Sequence, residues 1–262
     1  MNVNTRQQIK NLVSETLTKK FDNYNLETDY KPFFESIFSE KQIFTASLIQ
    51  SFYTTFGMSI YEQIAVLLAT SAGFYAERQY SLLGEIDKTT EQLIENHWQN
   101  LKTSLKNKQD IDCSKSKEFQ MVLNSIKPGR ELLDGDSTVD VYIRKPSGEE
   151  FFIDITTVKN NLKSFESLKL KMIRWIGLRL STDPTAKFNT LIALPYNPYY
   201  PEPYLESRWN STILDGTNDI LIQEEFWNFV GNDDNTYNEL IEIFQEVGQE
   251  LENEINNFFK NL

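Results

Sequence analysis

Asp140 and Asp154 are separated by thirteen residues in the stretch "STVDVYIRKPSGEEFFIDITTVKNN", residues 137–161. Val139, Val141 and Ile143 alternate with Asp140, Tyr142 and Arg144, and "FFIDITTV" is rich in aromatic and β-branched residues. Both segments read as strands. "KPSGEE" between them reads as a turn, with Pro146 and Gly148 as its punctuation. Side chains two apart on a strand share a face, so Asp154 and Thr156 point the same way. A hairpin could set Asp140 beside Asp154. Neighbouring carboxylates repel unless something positive lies between them. A divalent cation suits that place, because magnesium accepts one or two carboxylates together with phosphate oxygens and waters. Such an ion can activate water and stabilise charge on a phosphate. A plainer arrangement has Asp140 ending a strand or capping a turn, and Asp154 on an exposed sheet face.

The helix expected after the second strand, "NLKSFESLKLKMIRWIGLRL", carries a basic stripe. At 100° per residue, Lys163, Lys171 and Arg174 fall within about 80° of one another. That stripe could meet phosphates, or it could be a solvated face. Leu168, Met172, Trp175 and Ile176 fall on another face and are expected to pack on the sheet. The loop "YNPYYPEP" offers Asn197 and tyrosines as polar contacts to a DNA groove, or it packs on its own domain. Trp209, Phe226 and Trp227 are expected in the core or an interface, His97 on an exposed helical face, and Cys113 as an unreactive thiol.

The elements that must position these groups can be read around them. "NTRQQIKNLVSETLTKKFDNY" and "TTEQLIENHWQNLKTSLKN" have helical spacing. "YKPFFESIFSEKQIFTASLIQSFYTTFG" is helical up to Gly57, and Ser59 with Glu62 three residues later suggests a capping box for the next helix. Glu77 and Arg78 close that helix; Arg78 could meet a phosphate or form a surface ion pair. A third strand is expected over Thr190–Leu194. "DILIQEEFWNFVGND" and the rest of the C-terminal segment read as mainly helical.

The 262 residues are 40% hydrophobic, ample for a core. No basic start with an apolar run suggests a signal peptide, and no stretch suits a bilayer. One cysteine fits a reducing, cytoplasmic setting. One histidine and one cysteine cannot build a Cys/His zinc site, so any metal needs oxygen ligands: magnesium, manganese or calcium. The net charge of −12 is unevenly spread. From Glu202 onward there are 14 acidic and 2 basic residues, whereas residues 1–201 hold 24 of each. Thr156–Leu180 holds six basic residues and one acidic, a basic island beside the aspartate strands. The acidic segment should avoid DNA, with Glu242, Glu246 and Glu250 as one solvated stripe.

An aspartate on one strand and an acid-x-lysine on the next is the pattern of PD-(D/E)xK nucleases. "GDSTVDVYI", "FFIDITTVKNN", "SIYEQIA", "YNPYYPEPY" and "EEFWNFVG" resemble, in order and spacing, the TdeIII-type family of type II restriction endonucleases. The resemblance runs from about Gly57 to the C-terminal helix. It implies Mg2+-dependent cleavage of double-stranded DNA and a recognition sequence of the GGNCC type. It also implies Asp140 and Asp154 as metal ligands, with Glu62 as a third carboxylate, directly or through water. One position departs from the pattern. Where "DIKTVKPN" is expected the chain has "DITTVKNN", so Thr156 fills the place of a lysine that helps orient or deprotonate water and offsets phosphate charge. Lys159, three residues on, has the opposite strand parity, and a bulge could swing it round. Lys159 or another lysine substitutes, or the protein cuts slowly or not at all, or the register differs.

The expected architecture is α/β: a mixed β-sheet of the PD-(D/E)xK restriction-endonuclease type flanked by helices. One domain is expected over 1–262, mainly helical over 1–130, with the catalytic sheet core over 131–200 and a loop and acidic helical part over 201–262. A palindromic DNA site suits a homodimer, since protein and DNA symmetry then coincide. The alternatives are an inactive DNA-binding relative that lacks the lysine, or an acidic helical interaction protein.

Overall fold

The computed structural model describes residues 1–25, 31–127, 137–156, 159–207 and 212–261. Trp209 lies outside them. The expected hairpin is its centre: β2 (Thr138–Arg144) and β3 (Glu150–Ile155) pair antiparallel. Gly148 turns the chain with φ 86°, a value that favours glycine. Its N–H bonds the Lys145 carbonyl at 2.9 Å. β4 (Phe188–Leu194) runs parallel to β3, joined to it by helix α7 (Leu162–Thr182), because a parallel return needs a long crossover. α7 starts where the Asn161 side chain accepts the Ser164 N–H at 3.0 Å.

Two strands complete the sheet where helix was expected. β1 (Tyr75–Ser81) contains Glu77 and Arg78 and pairs antiparallel with β2. β5 (Ile220–Ile222) pairs parallel with β4 and is followed by helix α9 (Glu224–Gly231). The order is β1-β2-β3-β4-β5, a mixed sheet. β3 lies at its middle and is buried on both faces after its first residue.

Helices α1 (Val3–Asn23), α4 (Tyr61–Ser71) and α10 (Thr236–Glu250) join α9 on one face, against Val141, Ile143, Phe151 and Ile153. α5 (Lys88–Lys106), α6 (Lys115–Ser125) and α7 cover the other, against Tyr142 and Phe152. Met172, Trp175 and Ile176 of α7 are buried as their spacing predicts, and Leu168 packs at the edge of that core. Phe226 and Trp227 are buried too. Helices α2 (Pro32–Glu35), α8 (Tyr204–Ser207) and α11 (Glu252–Asn261) are further helices of the described residues.

The capping box at Ser59 does not form. Helix α3 (Glu40–Thr55) passes Gly57 and continues through a π-helical turn, Phe56–Ile60, into α4. With no helix start here there are no orphan N–H groups to cap. Ser59 Oγ instead accepts from Gln63 at 3.0 Å and Arg78 at 3.4 Å. Turns of this kind often mark functional positions, and this one precedes Glu62.

The acidic stripe faces solvent as expected, and it is also paired. Arg6 and Lys10 of α1 face it: Arg6 bonds Glu246 at 2.6 Å and lies 3.5 Å from Glu242, and Lys10 bonds Glu250 at 2.6 Å. Charges from opposite ends of the chain therefore meet, while Leu240, Ile243 and Val247 of the same helix enter the core. Among the described residues no helix is long and apolar enough to cross a membrane.

α7 is anchored by a buried ion cluster. Lys169, fully buried, donates to Glu118 and Asp219 at 2.7 Å each and to the Cys113 carbonyl at 3.1 Å. Burial pulls its ammonium down, and the two carboxylates more than offset this, so its pKa is raised. His97, expected to be exposed, is half-buried 3.0 Å from Glu118. Lys169→Met takes the buried lysine from Glu118 and one of two cations from Asp219, which also lies 3.3 Å from the Lys115 ammonium. It should lower unfolding stability in urea by about 3–5 kcal/mol, and Arg6→Ala, at the surface, should change it far less.

Candidate active site

The site forms where the central hairpin opens. The last backbone pair of β2 and β3 is Val141 with Ile153. One step further, where Asp140 would face Asp154, the ladder stops. The Asp140 carboxylate takes over, with Oδ2 accepting the Ile155 N–H at 2.8 Å. The strand faces change at the same point. Val141 packs with the α4 layer, but Val139 packs with the α7 layer. On β1, Ala76 and Tyr80 divide in the same way. Between them Gln79 adopts φ 49°, which is uncommon outside glycine and marks local strain.

That strain has a visible result. The Gln79 amide donates to Glu62 at 3.0 Å and to Asp140 at 3.4 Å, tying α4 to β2. Arg78 holds the same Glu62 oxygen through Nε at 3.1 Å and Nη2 at 3.0 Å. Arg78 is therefore in an ion pair, the plainer of its two expected roles. Glu62 is buried, as is Asp154. Nothing in the sequence marked Gln79, which directly follows the helix expected to close at Arg78.

From the opposite layer, Lys171 of α7 donates to Asp154 Oδ2 at 2.5 Å, with its ammonium 5.0 Å from the Trp175 ring centre. The basic stripe is thus divided. Lys171 turns to the aspartates, Arg174 bonds Glu91 at 2.6 and 3.1 Å, and Lys163 is exposed. Thr156 hydrogen-bonds Asn160 at 3.1–3.2 Å. Lys159 is exposed, and no hydrogen bond or ion pair ties it to either aspartate among the described residues. Asn197 is engaged in its own loop: it accepts from the Tyr199 N–H at 2.9 Å and donates to the Glu202 carbonyl at 2.8 Å.

Burial first, then the negative charge of Asp154, pushes Asp140 up to about 6, against the Ile155 N–H and Lys171, which pull it down. Two carboxylates share one ammonium, and the excess negative charge suits a cation. Among the described residues no group of three or more His, Cys, Asp or Glu could hold a metal ion. Two aspartates are an oxygen donor set of the size magnesium takes when it keeps its waters.

A mixed sheet flanked by helices, with paired aspartates where its hairpin opens, is consistent with a restriction-endonuclease fold. The chain belongs to the HinfI family: the sequence model for "Type II restriction endonuclease, HinfI" matches residues 1–248. The resemblance to type II restriction endonucleases is borne out and extends into α1, beyond the short motifs. The matching family is that of HinfI, of the same class as the TdeIII type. Among relatives, the type II restriction enzyme HgiCII of Herpetosiphon aurantiacus is 26% identical over 238 residues, covering 87% of this chain and 81% of the relative. HgiEI and HgiBI of the same organism are each 24% identical over 222 residues, covering 84% of this chain and 78% of theirs.

The raised Asp140 sets a sign for pH dependence. Its neutral form favours the folded state, so that contribution is present at low pH and lost as pH rises through about 6. Asp140→Asn keeps the acceptor for Ile155 and removes the repulsion. It should stabilise the protein by about 1–2 kcal/mol at pH 8, after allowance for solvent screening, and by little near pH 4. Urea unfolding at both pH values measures this.

Proposed function

We propose that this chain is a type II restriction endonuclease that hydrolyses phosphodiester bonds of double-stranded DNA at a short palindromic site, with Mg2+ and as a homodimer. The pairing of Asp140 with Asp154 at the opened hairpin carries the reading, and family membership supports it. A GGNCC-type site is what the motif resemblance adds. In this reading Asp140 and Asp154 hold magnesium, which when bound supplies positive charge at the phosphate and lowers the pKa of water. The Ile155 N–H fixes one Asp140 oxygen and leaves the other directed toward Gln79. Glu62 enters as an acceptor reached through water, already tied to Asp140 by the Gln79 amide. Lys163 is the stripe residue whose exposure suits a DNA phosphate. Arg78, Arg174 and Asn197 act chiefly by holding acids and the loop in place. A homodimer would present two such sites to the two strands of a symmetric sequence.

The test is digestion of unmethylated phage DNA with magnesium. The parent should give discrete fragments, and Asp154→Ala should cut about a thousandfold more slowly, the scale on which loss of charge stabilisation acts. Titration calorimetry of protein–DNA complexes with calcium gives a readout independent of cleavage, in which Asp154→Ala should lose ion binding. Salt-dependent DNA binding by the parent without cleavage would indicate the inactive relative instead.

A further inference from the structure

We infer that Lys171, on the crossover helix, is the cationic catalytic group of this site, in the role that Thr156 cannot fill. The inference rests on the nuclease reading above. Hydrolysis forms a bond from water oxygen to phosphorus and breaks one ester P–O bond, whose electron pair leaves with the ester oxygen. Water gives up a proton and the leaving oxygen gains one, both exchanged with solvent. Negative charge builds on the phosphate oxygens between these events, and a fixed ammonium stabilises it. In this role Lys171 supplies charge and transfers no proton.

Position selects Lys171 from the other nearby cations. Asp154 lies on the α7 face of β3, the face that Phe152 shares, and Lys171 Nζ reaches its carboxylate at 2.5 Å. Arg78 is bound to Glu62, Arg174 to Glu91, Arg179 to Glu150, and Lys169 is enclosed by Glu118 and Asp219. The Lys171 backbone is held on both sides, by buried Lys169 before it and by buried Met172, Ile173 and Trp175 after it. Its four-carbon stem is partly buried, 22% exposed, and is long and flexible enough to swing from Asp154 to an arriving phosphate. Thr156 shares the face of Asp154 but is uncharged, and its hydroxyl is bonded to Asn160. A lysine at 156 would approach the same carboxylate from the strand itself.

The experiment compares the parent, Lys171→Met, Lys171→Met with Thr156→Lys, and Lys159→Met on the DNA the parent cuts. Lys171→Met should lower the cleavage rate about a hundredfold or more. Binding of that DNA with calcium, read by fluorescence anisotropy, should change by less than about threefold. Thr156→Lys should restore at least tenfold of the lost rate, and Lys159→Met should cut like the parent. If Lys171→Met does not fold, the double variant decides: folded and cutting supports the inference, folded and inactive overturns it. Cutting by Lys171→Met at the parent's rate, or loss of DNA binding to the same degree as loss of cleavage, overturns the role of Lys171 and leaves the nuclease reading intact. No cleavage by the parent on any unmethylated DNA overturns both.

Discussion

Like charges on neighbouring strands repel, and the region around Asp140 and Asp154 is arranged by that repulsion. In a regular ladder the two would face each other directly across β2 and β3, where like charges are destabilising. Instead the ladder ends one pair earlier, Asp140 takes the Ile155 N–H, and the faces of β1 and β2 change at the same level. Each adjustment gives up regular pairing. What it yields is a pair of carboxylates reachable from both layers: Glu62 arrives through Gln79 on one side and Lys171 on the other. The raised pKa of Asp140 is the electrostatic trace of the same arrangement. Sites held together for chemistry commonly oppose stability locally, and the surrounding core offsets the cost.

How far the sequence could be read follows from how local each signal is. The hairpin was legible because alternation, the Gly148 turn and the aromatic run of β3 all lie within one short stretch. α7 was legible because its apolar residues fall on one face and that face does bury. β1 was not, since "YAERQYS" alternates between exposed and half-buried positions and carries no apolar period. β5 is three residues long, too short to separate from the helix that follows. The two aspartates could be named from their residue type and strand setting. Gln79 could not, because its importance lies in a backbone conformation that tertiary contacts impose.

Charge gives the same lesson at larger scale. Grouped by sequence, the acids of the C-terminal segment looked like a solvated stripe that keeps away from DNA. In the fold Glu242, Glu246 and Glu250 do face solvent, but Arg6 and Lys10, more than two hundred residues earlier, pair with them. The basic island was likewise expected to stand free on α7. Its members separate by depth: Lys169 is fully buried, Arg174 is paired with Glu91, Lys171 reaches the site, and Lys163 stays exposed. Spacing along a helix gives the direction of a side chain, and the acids on neighbouring elements then decide what it does.

The buried cluster and the site are linked through this helix. Lys169 and Lys171 lie two residues apart, so their side chains leave α7 about 200° apart. One goes inward to Glu118 and Asp219, the other toward Asp154. A buried ion pair contributes little net stability, but removing one member is costly, so it fixes where its helix can sit. With Lys169 enclosed by acids from α6 and from the residue before β5, α7 has little freedom to slide or turn. A long, mobile side chain such as Lys171 can place its charge reliably only from a backbone held in that way.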